Sequence, residues 1–248
     1  MPDFNLPDHR PADADSAEAQ VHLLAAEGSY ELLNETTVPD GLGGSDNFLL
    51  FEGYNEWGMP AVAAHLHYNE DGETFALAAE SMPTFAAAAA WLVQRGAAPE
   101  QFLRHARGAG APADARSAAA AARIVESGSR YQLVEHGVEY GETWALLRDN
   151  AAAGSERPFL LQLESAHHMR GYTLREGSFS SPQEVQQWLE NRRTPLPPVV
   201  GDEVSVVVSP QASAARARTT GTGQRGTGVQ ESAAVLAGAA AVSRRAVR

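Results

Sequence analysis

The 248-residue chain contains no cysteine and no lysine, and only 7% of it is aromatic. Without cysteine it has no disulfide framework, no thiolate metal site and no thiol nucleophile. A reducing, cytoplasmic setting is expected. All 19 basic residues are arginine and alanine is abundant, the bias of a GC-rich, actinobacterial-like genome. No apolar run approaches the roughly 20 residues that span a bilayer. The start, MPDFNLPDHRPADAD, has neither the basic head nor the apolar centre of a signal peptide. No membrane association is expected. The chain also lacks G-x-S-x-G, H-E-x-x-H and a recognisable Ser-His-Asp order. No catalytic residue and no cofactor is therefore assigned.

What is present is unevenly charged. Residues 209–248 hold six arginines and one glutamate, a net of +5, which leaves −17 on residues 1–208 of the total of −12. An acidic body repels a phosphate backbone, so nucleic acid is not an expected partner of residues 1–208. The tail arginines, Arg216, Arg218, Arg225, Arg244, Arg245 and Arg248, are a separate candidate for weak nucleic-acid contact. That tail is rich in Ser, Thr, Gly and Ala, lacks aromatics and is expected to be disordered. It also contains Gly221-Thr222-Gly223-Gln224-Arg225-Gly226, a G-x-G-x-x-G match with no strand directly before it, which makes a dinucleotide role improbable.

The most informative pattern is internal repetition. Thr74–Arg95 lies on Gly171–Arg192 without a gap, matching Leu77 to Leu174, Ser81 to Ser178, Trp91 to Trp188, Leu92 to Leu189 and Arg95 to Arg192. Upstream, Gly28-Ser29-Tyr30 resembles Gly128-Ser129-Arg130-Tyr131, and Phe48-Leu49-Leu50 answers Trp144-Ala145-Leu146-Leu147. Ala-rich helical stretches precede each copy, near 16–27 and 115–127. The expected fold is α+β: a tandem repeat of an α-β-β-β-β-α unit, with antiparallel sheets backed by helices. The expected limits are 1–14 for a disordered N-terminus, 15–107 for unit one, 108–114 for a linker, 115–208 for unit two and 209–248 for the tail. Strands are expected near 29–36, 48–54, 61–68 and 74–80, with Thr84 or Ser81 capping the first closing helix and Ser181 the second. Duplicated units commonly pair about a pseudo-twofold axis, which here would make an acidic cleft or a continuous sheet.

Two clusters carry site chemistry. His65-x-His67 puts two imidazoles on one strand face, a geometry that binds metal, with Glu56, Asp71 or Glu73 as a third ligand. The same alignment sets Gln162 and Glu164 opposite the two histidines, which points instead to a polar, solvent-facing side. Tyr54, Glu56 and Trp57 form an aromatic and acidic group suited to partner recognition or to covering the sheet. The leading expectation is a non-catalytic binding or regulatory protein whose acidic body takes a protein partner. The alternatives are a metal-assisted hydrolase using His65 and His67, and a weak nucleic-acid binder acting through its tail.

Overall fold

Phe48–Phe51 and Trp144–Leu147 are apolar on consecutive residues rather than on alternate ones, so both faces of the strands they form need cover. The computed structural model provides it with helices on both sides of two sheets. It describes residues 4–6, 8–25, 28–39, 41, 43–53, 61–69, 73–103, 110–139, 141–152, 154–167 and 171–199.

The first half runs β1 (Arg10–Pro11), α1 (Ala14–Ala25), β2 (Tyr30–Pro39), β3 (Ser45–Gly53), β4 (Ala61–Tyr68), β5 (Thr74–Met82), α2 (Phe85–Val93) and α3 (Pro99–Leu103). The second runs α4 (Ala115–Val125), β6 (Tyr131–Glu139), β7 (Glu142–Asp149), β8 (Phe159–His167), β9 (Gly171–Phe179) and α5 (Pro182–Glu190). The five-stranded sheet is ordered β1-β5-β4-β3-β2, antiparallel except for the short β1, and the four-stranded sheet is an antiparallel meander, β6-β7-β8-β9. The expected mixed α+β class and the two antiparallel sheets backed by helices are therefore present. Among the described residues no helix is long and apolar enough to cross a membrane.

Three apolar clusters separate the layers. The outer face of the first sheet packs Leu49, Phe51, Val62 and Leu77 against Leu23 of α1 and Phe4. The outer face of the second packs Leu146, Leu161 and Phe179 against Val185 and Leu189 of α5. Between the sheets lies a shared core, in which Phe48, Leu50 and Ala63 of one and Ala145, Leu147 and Leu174 of the other meet α2 and α4. The sequence of α2, FAAAAAWLV, has no polar side. Such a helix is stable only when surrounded, and its alanines let backbones approach closely. In α5, PQEVQQWLE, Val185 and Leu189 are buried and Trp188 packs half-buried beside them, while the polar side chains form the outer surface. Trp91 and Trp188 are half-buried, and each lies beneath an arginine four residues on, Arg95 at 3.3 Å and Arg192 at 5.8 Å from the ring centroid.

The same local ties occur in both halves. The buried Leu77 N–H donates to Ser16 Oγ at 3.1 Å, and the buried Leu174 N–H to Ser117 Oγ at 2.9 Å. Each serine N–H donates in turn at 2.7 Å to an aspartate three residues earlier, Asp13 or Asp114. Pro11 bridges Phe75 in parallel, as Pro112 bridges Tyr172. The second bridge needs Gly171, where an added Cβ would lie 2.0 Å from the Ala111 carbonyl oxygen. The β2–β3 ladder slips between Leu32 and Asn34, and the β6–β7 ladder between Leu133 and Glu135. Thr84 and Ser181 both cap their helices, accepting the N–H groups of Ala87 and Glu184.

The two sheets share no strand pair among the described residues, so no continuous sheet forms. The leading helix α1 lies outside and its counterpart α4 inside, while the closing helix α2 lies inside and α5 outside. A twofold axis relating the two sheets would put these helices on like sides, and the order found is the opposite. We expect Ser117→Ala to lower the unfolding free energy by about 1–3 kcal/mol, because the Leu174 N–H loses its acceptor while staying buried. Urea denaturation measures this, with the exposed Ser129→Ala as a control near zero.

Candidate functional site

The described residues hold three places with chemistry of their own. The first contains the two sequence-selected histidines. β3 and β4 pair with Asp46 opposite His67 and Phe48 opposite His65, so all four side chains share the inner face of the first sheet. His65 stacks on Phe48 at 4.7 Å. Its Nε2 lies 2.7 Å from Asp46 Oδ1, and His67 Nδ1 lies 3.0 Å from the same oxygen. Burial opposes ionisation of Asp46, but the hydrogen bonds from His65 and His67, with their charge interactions, hold its carboxyl below the usual range. Each imidazole thus spends one nitrogen on a shared carboxylate oxygen. Among the described residues no group of three or more His, Asp or Glu side chains is disposed to hold a metal ion. Of the expected third ligands, Glu73 pairs with Arg10 at 3.3 Å, while Glu56 and Asp71 lie outside the described residues.

The second place is the junction of the sheets. Glu52, at the end of β3, and Glu164, on β8, are both buried and line a cavity of about 180 Å³ together with Gly53, Val138, Thr143 and Ala166. Both Glu164 oxygens face the Phe85 N–H, at 3.2 and 3.1 Å, so the carboxylate meets the first amide of α2. A helix N-terminus favours a negative charge there. Burial nevertheless prevails and pushes the Glu164 carboxyl well above the usual glutamate range, against the pull of that N–H. Burial also raises the neighbouring Tyr172 hydroxyl, and the Glu164 charge adds to the effect.

Glu164 and Gln162 were expected to face solvent, and both are buried on the inner face. The gapless alignment is one residue out of step at this strand. Phe75 of β5 pairs with Tyr68 and Tyr172 of β9 pairs with Ala166, so by ladder position Gln162 and Glu164 correspond to Ala64 and Leu66. A slip of one residue exchanges the faces of a strand.

The third place is an edge. β6 borders its sheet with Leu133, Val134 and Val138 exposed at 40%, 48% and 45%. Its acidic side chains are drawn aside, Glu135 accepting from Gln186 at 3.0 Å and Glu139 pairing with Arg192 at 3.3 Å. The edge of the other sheet is treated differently. Asn34 of β2 donates to the Gln101 carbonyl of α3 at 3.1 Å, and Leu33 packs into the shared core beside Gly110. No described segment covers β6 in this way.

The remaining sequence candidates, Tyr54, Glu56 and Trp57 and the tail arginines Arg216, Arg218, Arg225, Arg244, Arg245 and Arg248, lie outside the described residues. Asp46, Glu52, Glu164 and the β6 edge were not singled out from the sequence. The one usable signal for Asp46 was the register of the β3–β4 hairpin, since setting Phe48 opposite His65 brings Asp46 to His67. Comparison with known protein families, with characterised proteins and with solved structures finds no significant match to this chain.

Glu164 supplies a test by pH. A carboxyl whose pKa rises on folding contributes stability that is complete below the ordinary glutamate pKa of about 4.3 and is lost as pH rises. Glu164→Gln keeps the shape with no proton to lose. The variant should melt above the wild type at pH 8, by about 2–4 °C for each kcal/mol of penalty removed, and the gap should close near pH 4. A gap independent of pH would refute the buried, proton-holding carboxyl.

Proposed function

We propose that the chain is a duplicated α+β module, two copies of an α-β-β-β-β-α unit stacked head to tail, that acts as a non-catalytic binding or regulatory protein for a protein partner. The duplication is supported by the recurring Asp–Ser–backbone tie, the parallel bridge and the bulge, which fall at matching ladder positions. The observation that carries the binding role is the β6 edge. An exposed apolar edge strand is a template for another strand, and monomeric proteins usually blunt such edges with charge, proline or a covering segment. In β6 the two glutamates are held to one side and no proline interrupts the strand.

The partner that fits is an extended segment of basic and apolar residues added as a strand. Main-chain hydrogen bonds would supply the affinity, and Leu133, Val134 and Val138 the apolar contact. The −17 of residues 1–208 would favour basic side chains and hasten encounter at low salt. Supporting a metal-assisted hydrolase at His65 and His67 is harder, because Asp46 already engages one nitrogen of each ring.

The test uses the full chain and two peptides, an alternating Val-Arg hexamer and its Val-Glu counterpart. The basic peptide should bind, slow amide hydrogen exchange along β6 and weaken as salt rises, while the acidic one does not bind. Leu133→Lys with Val138→Lys should abolish binding without changing the fold. Equal binding of both peptides, or an unaffected double variant, would sink the proposal.

A further inference from the structure

The chain fills one of its own grooves. On the inner face of the second sheet, Val199 sits among Arg130, Tyr131, Leu160 and Ser178, and Pro198 and Val199 lie beside Ala120, Arg123 and Glu176 of α4 and β9. The segment reaches this position by crossing β9 at Gly177, where an added Cβ would come within 2.9 Å of Leu196 Cδ2 and 3.0 Å of the Pro197 carbonyl oxygen. What remains open are spaces of about 220 and 80 Å³.

The first sheet carries the matching groove, between α1 and the outer strand faces. Ala19, His22, Tyr30, Val62, Ala79 and Ser81 line it. By ladder and helix position these stand where Ala120, Arg123, Tyr131, Leu160, Glu176 and Ser178 stand in the second half. The groove encloses about 600 Å³. Its greater volume has two evident sources. The ion pair of Arg123 Nε with Glu176 Oε2, 3.2 Å long, is replaced by His22 and the small Ala79, and no described segment takes the place of Pro198–Val199.

We infer that this groove beside α1 is a docking site for an extended proline–valine segment of a partner protein, its valine seated as the half-buried Val199 is in the second half with the exposed Pro198 before it. The inference rests on the duplication reading and is independent of the β6 edge. Tyr30, Val62 and the buried Leu23 form an apolar floor that accepts a β-branched side chain, and His22, Glu80 and Ser81 form a polar rim for the flanking main chain. Proline before the anchor holds the ligand extended, which lowers the entropy lost on binding.

The experiment takes the isotopically labelled full chain and titrates it with an acetylated, amidated Leu-Pro-Pro-Val-Val peptide, using Leu-Pro-Pro-Asp-Asp as the control. The expected result is saturable shifts at the amides of Leu23, Tyr30, Val62 and Ala79 with a Kd of about 1 mM or tighter, and none with the control. Ala79→Arg, which fills the groove from a half-buried position, should weaken binding by about tenfold or more with an unchanged melting temperature. No saturable shift, shifts confined to the groove that holds Val199, or an Ala79→Arg variant that binds as well as wild type would each overturn the site. A peptide that does not bind while residues 14–93 and 115–190 superpose in an experimental structure removes the docking site and leaves the duplication standing.

Discussion

Two sheets in one short chain share a core only when the element between them is apolar on every side, and α2 is that element. Its residues Phe85 to Leu92 face the first sheet on one side and the second sheet and α4 on the other. Burying a helix completely raises the question of its terminal amides, which have no partners within the helix. Thr84 Oγ1 answers for Ala87, and Glu164, reaching from the second sheet, answers for Phe85. The apolar layer therefore carries a polar tie at Glu164, and that tie joins the two halves. A carboxyl there gains from the helix dipole and loses from burial, and burial is the larger effect.

Under the duplication proposed above, head-to-tail stacking would account for like elements with unlike sequences. α2 and α5 occupy equivalent places in the chain, but one is interior and the other terminal. Repeat arrays need a polar outer face on the terminal unit, and α5 provides it. The same logic leaves each half with a surface that has a filled counterpart in the other half. β2 is covered by α3, and among the described residues no segment covers β6 in the same way. The groove beside α4 holds Val199, and no described segment enters the groove beside α1. An open head-to-tail arrangement of two copies would not close on itself and would leave such surfaces at its ends.

Much of this was legible in the residues. Trp91-Leu92 and Trp188-Leu189 marked the closing helices, and the strand positions followed from alternation and turn residues. Ser181-Pro182 announced the start of α5. The paired histidines were correctly placed on one face, because residues two apart on a strand always share one. What failed was register: aligned without a gap, Gln162 and Glu164 fell on the wrong face, and a buried carboxylate at the heart of the molecule read as a solvent-facing one. Nor did the sequence disclose Asp46, which is 19 residues from His65 and meets it only through strand pairing. The openness of β6 was equally hidden, since Leu133 and Val138 look like ordinary strand residues until the edge is known.

The division has a physical basis. Local periodicity, capping side chains and the all-apolar run of α2 act over a few residues, so the chain alone determined the helices, the strands and the need for two-sided burial. Which half faces which, which edge is covered and which groove is filled depend on contacts between residues far apart in sequence. Those contacts compete as whole surfaces, and only the tertiary structure decided among them. The −17 of residues 1–208 was countable from the start, but the places where carboxylates pair, as Asp46 and Glu139 do, or are buried, as Glu164 is, became known only from the tertiary structure.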